Sequence, residues 1–203
     1  MNKSCVVIGG VCHARVLMDA LLVLGFEIQG FTDLVPKEIL LYGKKIPYLG
    51  ADDQYLRSKR ENIQFVNGVG SVGNPERRRE IFKQFKQVGY SFASVIHPSS
   101  VIAKDVTLGE GVQVMAGSVI QTGSILGNNV IINSRASIDH DCRIEDHVHI
   151  APGAVLSGNV TVGESAHIGT GASIVQGMQI PAGHLVRAGQ TVSHSYSVES
   201  EMG

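Results

Sequence analysis

From Ile96 onward the chain repeats in sixes. Ile96, Ile102, Leu108, Val114, Ile120, Leu126, Ile132, Ile138, Ile144, Ile150, Leu156, Val162, Ile168, Ile174, Ile180, Val186 and Val192 fall on every sixth residue without a miss. Four places after many of these stands a second residue, mostly small or apolar: Ser118, Ala136, Cys142, Val148, Ala154, Val160, Ala166 and Ala172. A helical period of 3.6 drifts off this spacing within two turns. Hairpin alternation would recur every second residue. One short strand and one turn per block, each with an aliphatic side chain pointing inward, fits the pattern and predicts a hexapeptide β-helix. Glycines such as Gly111, Gly117, Gly123, Gly153, Gly171 and Gly177 lie between the aliphatic positions, where coil corners need a permissive backbone.

The preceding part of the chain has no fixed period. Residues 5–8 read as a buried strand, Gly9 to His13 as a tight turn, and residues 14–24 as a helix that Gly25 ends. That helix would carry Val16, Leu17, Ala20, Leu21 and Leu24 on one face. A second strand over residues 27–31 leads into Thr32 and Asp33. Residues 44–49 look like a connecting strand or hairpin, and 52–60 like a short helix. Gln64–Asn67 is a third strand, closed by Gly68, Val69, Gly70 and Ser71. Asn74 is a candidate N-cap with Pro75 at the first helical position, opening a helix that runs to about Val88. The alternation predicts an α/β unit on a small parallel sheet, half of a Rossmann-like fold. The expected division is a nucleotide-type domain over residues 1–91 and the β-helix over 92–203.

Composition narrows the function classes. The formal net charge of −1 argues against nucleic acid or an anionic membrane as partner. Trp is absent and aromatics are few, which suits a solenoid with a narrow core. One lysine and a short apolar run before Gly9 make neither a secretory leader nor a spanning helix. Cys5, Cys12 and Cys142 lack metal spacing, so a reducing cytoplasm is the expectation; Cys142 holds an inward repeat position.

Two regions offer chemistry. The turn Gly9-Gly10-Val11-Cys12-His13, between strand and helix, would aim N–H groups at an anion, although it does not match the full G-x-G-x-x-G fingerprint. Asp33 and the loop with Gly70 and Ser71 also follow strand ends, where ligands bind in open α/β sheets. A plain βα turn explains the glycines equally well, and His13 could touch a sugar or phosphate or merely cap the turn. The second region is Asn133-Ser-Arg-Ala-Ser-Ile-Asp139-His140-Asp141-Cys142, followed by His147 and His149. His140, two places past the inward Ile138, belongs on a corner or outer face between two carboxylates. Imidazole beside carboxylate is the usual make-up of a general base, though solvation of a surface His is the simpler account. His147, His184 and His194 read as surface residues and Arg77-Arg78-Arg79 as a solvated helix face, with an arginine on a phosphate or CoA as the lesser alternative. His149 and His167, one coil apart, could stack.

These segments together resemble the bacterial hexapeptide-repeat acetyltransferases that act on nucleotide-linked amino sugars, and the related sialic acid O-acetyltransferases. The resemblance implies a left-handed parallel β-helix with three blocks to a coil. It implies an N-terminal segment that holds nucleotide and diphosphate through Gly9, Gly10, Cys12, His13, Asp33, Gly70 and Ser71. Cys12 stands where that family usually has glycine, so a backbone contact there is altered. The spacing of Asn133, His140, Asp141 and His149 matches the family's catalytic segment. The resemblance therefore assigns His140 as base, Asp141 as its partner, and Asn133, His149, Gly158 and Ala188 to acetyl-CoA. It implies direct transfer to the amine of a UDP- or GDP-linked sugar, no metal, and a homotrimer with active sites between subunits. The outward Val119, Ile125, Ile131 and Val155 also suit contact with neighbours. The alternatives are O-acetylation of a sialic-acid-type sugar, a γ-carbonic-anhydrase-like metal hydratase, for which no His pair has the right spacing, and a non-catalytic scaffold. The polar tail from Ser193 departs from the family's ending.

Overall fold

The computed structural model describes residues 4–58, 60–72 and 75–194. These cluster into two compact units: residues up to Pro98 together with Glu110–Gln113, and Ser99–Gly109 together with residues from Val114 onward.

In the first unit, β1 (Ser4–Ile8), β2 (Glu27–Thr32), β5 (Gln64–Asn67) and β6 (Ser91–Phe92) form one parallel sheet in the order β2-β1-β5-β6. The last of these, only two residues long, was not anticipated; its pairing with β5 is its main signal. Helices α1 (Cys12–Val23), α2 (Asp53–Arg57) and α3 (Glu76–Val88) connect the strands. The hairpin β3 (Ile39–Leu41) and β4 (Lys44–Ile46) turns through Tyr42 and Gly43, both at positive φ, as a two-residue hairpin requires.

Three details differ from the expected elements. Helix α1 begins at Cys12, so Cys12 and His13 are its first residues and not part of the turn. Its buried face is Ala14, Leu17, Met18, Ala20 and Leu21, while Val16 is exposed. The helix ends as Gly25, at φ +74, lets its own N–H reach the Leu22 carbonyl and that of Phe26 the Leu21 carbonyl. Helix α2 stops at Arg57, well short of residue 60. Asn74 lies outside the described residues, and Pro75 immediately precedes α3. The core gathers around Phe65, whose ring meets Tyr55, Phe85 and Tyr90 edge-on at 4.7 to 5.2 Å.

From Val95–Ile96 to Thr191–Val192, two-residue strands recur every sixth residue. Within the second unit each strand pairs in parallel with the one eighteen residues on, as Ser137 with Val155 and Ile138 with Leu156. Three blocks therefore close one coil of a parallel β-solenoid. The sixth-position aliphatics from Val114 onward are no more than 4% exposed, and the second residues of the blocks from Ser118 to Ala172 no more than 1%; Met178, His184 and Gln190 in the last blocks are half-buried. Each such aliphatic contributes about 1.5–3 kcal/mol by leaving water.

The corners have a period of their own. From Gly111 to Gly189 one residue per block takes a left-handed backbone. Glycine fills most of these positions, but Asn129, Arg135, Asp141, His147, Asn159 and Ser165 occupy the rest at φ between 57° and 64°. A left-handed backbone costs an ordinary residue about 1–2 kcal/mol, and less for Asn and Asp. The expected outward Val119, Ile125 and Val155 are half-buried to exposed, but Ile131 is buried, as is His149, its partner on the next coil.

Candidate active site

Strand β1 delivers Gly9 and Gly10 to the C-terminal edge of the sheet. Gly9 sits at φ +89, and its N–H bonds the Thr32 carbonyl at 2.8 Å. The Gly10 N–H donates to Asp33 Oδ2 at 2.8 Å. The anion at this glycine turn is thus the protein's own carboxylate. Lys37 also reaches Asp33, at 2.8 Å, and the Val35 N–H at 3.3 Å. Burial alone would lift the Asp33 carboxyl, but the bonds from Lys37, Val35 and Gly10 outweigh it and hold it below the usual range.

Gly9 and Asp33 line a cavity of about 120 Å³ with Val11, Val69, Asp52 and Arg77. The last two went unread in the sequence because Asp52 resembled an ordinary helix start and Arg77 one of three arginines on a solvated face. Asp52 accepts from the Thr32 hydroxyl at 2.5 Å. Burial raises its carboxyl, an effect that the Thr32 bond and the Arg77 charge oppose. Of the other residues expected here, Cys12 is exposed and Ser71 is buried. His13 stands beside Gly70, where an added Cβ would lie 3.6 Å from the His13 Cβ.

Arg78 overturns the picture of a solvated arginine face. It is 1% exposed, and its Nη1 donates to the carbonyls of Asn67 and Val69 at 2.8 and 2.7 Å. The carbonyl-rich end of β5 and its loop needs a donor there, and α3 supplies it. Burial lowers the Arg78 guanidinium to about 9.

In the solenoid, His140 Nδ1 lies 2.8 Å from Asp141 Oδ2, with the His140 side chain half-exposed. A carboxylate only accepts, so Nδ1 carries the proton and the neutral ring leaves Nε2 bare. The Asp141 bond is the main reason the imidazole's pKa is raised. Asp141 reaches that position through its left-handed backbone at φ +58. Gly158, one coil along, lies directly against the ring: a Cβ there would come within 2.5 Å of His140 Cε1 and Nε2.

A second pair forms between Asn133 and His149. The Ser134 N–H donates to Asn133 Oδ1 at 2.8 Å, which turns the amide nitrogen toward His149 Nε2 at 3.2 Å. His149 Nε2 must then accept, which assigns the proton to Nδ1 and opposes a doubly protonated ring. The expected stacking partner is present: the His167 ring meets His149 edge-on at 4.7 Å. His147, expected at the surface, is 4% exposed, because its left-handed corner lays the ring beside Asn129 at 3.0 Å. Ala188 is exposed in a depression of about 760 Å³ with Arg187 and Gln190. Asp141, His140 and Gly158 thus come together, as do Asn133 and His149. His140, Asp141 and Gly158 follow strands on one face of the solenoid, Asn133 follows and His149 begins strands on another, and Ala188 belongs to the last coil. Among the described residues no three His, Cys, Asp or Glu side chains are grouped to hold a metal ion. Nor, among them, is any helix long and apolar enough to cross a membrane.

Residues 4–85 match the model of the PglD N-terminal domain, and residues 123–158 and 141–176 that of the bacterial transferase hexapeptide. A histidine-to-asparagine variant of perosamine N-acetyltransferase from Caulobacter crescentus, in complex with CoA and GDP-perosamine, is 33% identical. That match covers 96% of this chain and 90% of that one, with a TM-score of 0.87. The acetyltransferase domain of PglB from Neisseria gonorrhoeae FA1090, in complex with acetyl coenzyme A, is 31% identical over 95% and 93% of the two chains, with a TM-score of 0.85. WeeI from Acinetobacter baumannii AYE shares the fold at 22% identity, over 95% and 97% of the chains, with a TM-score of 0.72. A search of curated proteins found no match.

Proposed function

Because this chain belongs to the hexapeptide-repeat sugar acetyltransferases, and is therefore an acyl-CoA-dependent acetyltransferase, we propose that it acetylates the 4-amino group of a nucleotide-linked amino-deoxy sugar. Acetyl-CoA is the donor and transfer is direct, with no acyl-enzyme. The observation that carries this reading is His140 held by Asp141 at 2.8 Å, with its bare Nε2 edge against Gly158. A neutral amine attacks the thioester carbonyl. His140 takes the proton that the amine sheds, and Asp141 steadies the imidazolium. The backbone N–H of Gly158 or a neighbour holds the oxyanion, a contribution of about 3 kcal/mol. The thiol of CoA leaves as the tetrahedral intermediate collapses, carrying away one proton.

Residues 1–91 hold the sugar nucleotide in this proposal and 92–203 carry the transfer, with Asn133, His149, Gly158 and Ala188 toward acetyl-CoA. Gly9, Asp33, Asp52 and Arg77 serve the nucleotide, together with Gly10, Cys12, His13, Gly70 and Ser71 around them. The GDP-perosamine complex of the similar Caulobacter enzyme supports a nucleotide-linked amine over a sialic-acid-type hydroxyl as acceptor. It equally supports residence in the cytoplasm, where nucleotide sugars are made. A homotrimer with active sites between subunits completes the proposal; it accounts for catalytic groups that lie on different faces of a single solenoid.

The test is release of free CoA thiol from acetyl-CoA in the presence of UDP- and GDP-linked 4-amino-6-deoxy sugars. The expected product is an amide that withstands hydroxylamine. A hydroxylamine-labile ester on a hydroxyl would instead establish O-acetylation, and no thiol release with any amine would end the proposal.

A further inference from the structure

Gln113 has no part in the reaction proposed above, yet it is fully buried within the polar network of the first compact unit. Its Nε2 lies 2.7 Å from the Asn67 carbonyl, and its Oε1 lies 2.8 Å from His13 Nε2. The Asn67 carbonyl can only accept, so the amide's NH2 end must face it. The other end is then an oxygen, which also only accepts. His13 Nε2 must therefore donate, so in the neutral ring the second nitrogen carries no proton.

The surroundings hold this arrangement. Arg78 Nη1 binds the same Asn67 carbonyl at 2.8 Å and the Val69 carbonyl at 2.7 Å. The Asn67 side chain returns a bond from Nδ2 to the Arg78 carbonyl at 3.0 Å, and its Oδ1 accepts from the Val69 N–H at 3.2 Å. Gln113 thus cannot turn its amide over without placing its oxygen against a carbonyl. Among the described residues nothing bonds His13 Nδ1, and that atom is not sealed from solvent. The His13 Cβ stands beside Gly70, in the loop whose Val69 lines the cavity with Gly9, Asp33, Asp52 and Arg77.

We propose that Gln113 is a positioning residue that locks His13 as the neutral Nε2–H tautomer, so that His13 offers its bare Nδ1 to a hydroxyl of the bound sugar and gives no proton to its phosphates. The identity of the ligand rests on the proposed function; the lock itself does not. The Gln113 bond selects the nitrogen that carries the proton but by itself favours the charged ring; two other effects keep the ring uncharged. Burial, aided by the Arg78 charge, lowers His13 to about 4. His13 is also the second residue of α1, where the positive end of the helix disfavours a cation. A neutral acceptor repels phosphate oxygens and attracts a hydroxyl.

Long-range proton–nitrogen NMR correlation on the full-length, nitrogen-15-labelled protein at neutral pH reads the lock directly. The His13 signal is identified by its loss in His13→Asn. The expected pattern is a pyrrole-type Nε2 and a pyridine-type Nδ1 in the wild type, and a mixture of tautomers in Gln113→Leu. A wild-type His13 protonated on Nδ1 would overturn the proposal, and this arm needs no variant at position 113 to fold. Calorimetry then compares GDP and UDP with GDP-mannose and UDP-N-acetylglucosamine as probes. Gln113→Leu should weaken a nucleotide sugar about tenfold, the worth of one hydrogen bond, while nucleoside diphosphates change less than twofold. An equal loss for both probe classes would assign His13 to phosphate and sink the hydroxyl reading. Failure of every nucleotide to bind would instead count against the proposed substrate, with the spectrum still deciding the tautomer.

Discussion

The solenoid and the α/β unit build their cores in opposite ways. Every Phe in the chain lies at or before residue 92, and Phe65 alone meets Tyr55, Phe85 and Tyr90 at ring-contact distance. The solenoid uses no Phe, and repeats one aliphatic and one small residue per block. In the first case a single side chain is held by contacts that occur nowhere else. In the second each contact recurs coil after coil, so one change is felt mainly by its neighbours eighteen residues away. Polar groups follow the same division. The solenoid places them in columns at corners, where Gly158 makes room for His140. The α/β unit ties them across loops, as Arg78 does with Asn67 and Val69.

Substitutions can break this contrast, beginning with the strongest. His140→Ala should lower kcat by about two to four decades with a smaller change in KM, measured by thiol release. The pH profile gives the same residue a second test. A base must be neutral, and the Asp141 bond raises the His140 pKa. Activity should therefore fall as pH drops through a value above the ordinary histidine range. Asp141→Asn removes the cause, so the acid limb should move to lower pH while the plateau declines.

Gly158→Ala comes next. Its new methyl group would lie 2.5 Å from the His140 ring, which is half-exposed and can move aside. The expected result is a ten- to hundredfold loss of kcat with the melting temperature nearly unchanged. A large drop in stability would show that the glycine serves packing and not the ring.

In the α/β unit the order reverses. Arg78→Met should cost about 2–4 kcal/mol, because the Val69 carbonyl loses a buried partner, whereas Arg79→Ala should stay within about 0.5 kcal/mol. Chemical denaturation of the two variants distinguishes a buried arginine from a solvated one. The smallest effect is expected at a corner. Ser165 combines a left-handed backbone with a buried hydroxyl that has no hydrogen-bond partner among the described residues. Ser165→Gly removes both and should stabilise the solenoid by about 1 kcal/mol in the same measurement.

Legibility in the sequence tracks this contrast. The block pattern placed the inward residues correctly from Val114 to Val192, because a repeated signal averages over local exceptions. It also put His140 on an outer corner beside Asp141. It misjudged His147, because a corner residue with a left-handed backbone can fold along its coil, and no spacing records that. In the α/β unit each element is written once. The start of α1 was placed two residues late, and β6 was missed because two residues carry no period. Asp52 and Arg78 are defined by partners outside their own elements, Thr32 for one and the Asn67 and Val69 carbonyls for the other.

The amino-acid sequence by itself determined the six-residue block of the solenoid, its inward aliphatic position and the alternation of strands and helices ahead of it. Those rest on local periodicity, and a period is a property of the chain alone. The three blocks to a coil came from the family resemblance and from the strand pairing. Only the tertiary structure decided that the Gly10 N–H is taken by Asp33, that Arg78 is buried, and which nitrogens of His13 and His149 carry protons. A hydrogen bond needs two groups within about 3 Å and correctly turned. Residues separated by 9 to 100 positions meet that condition only after the chain has closed around them.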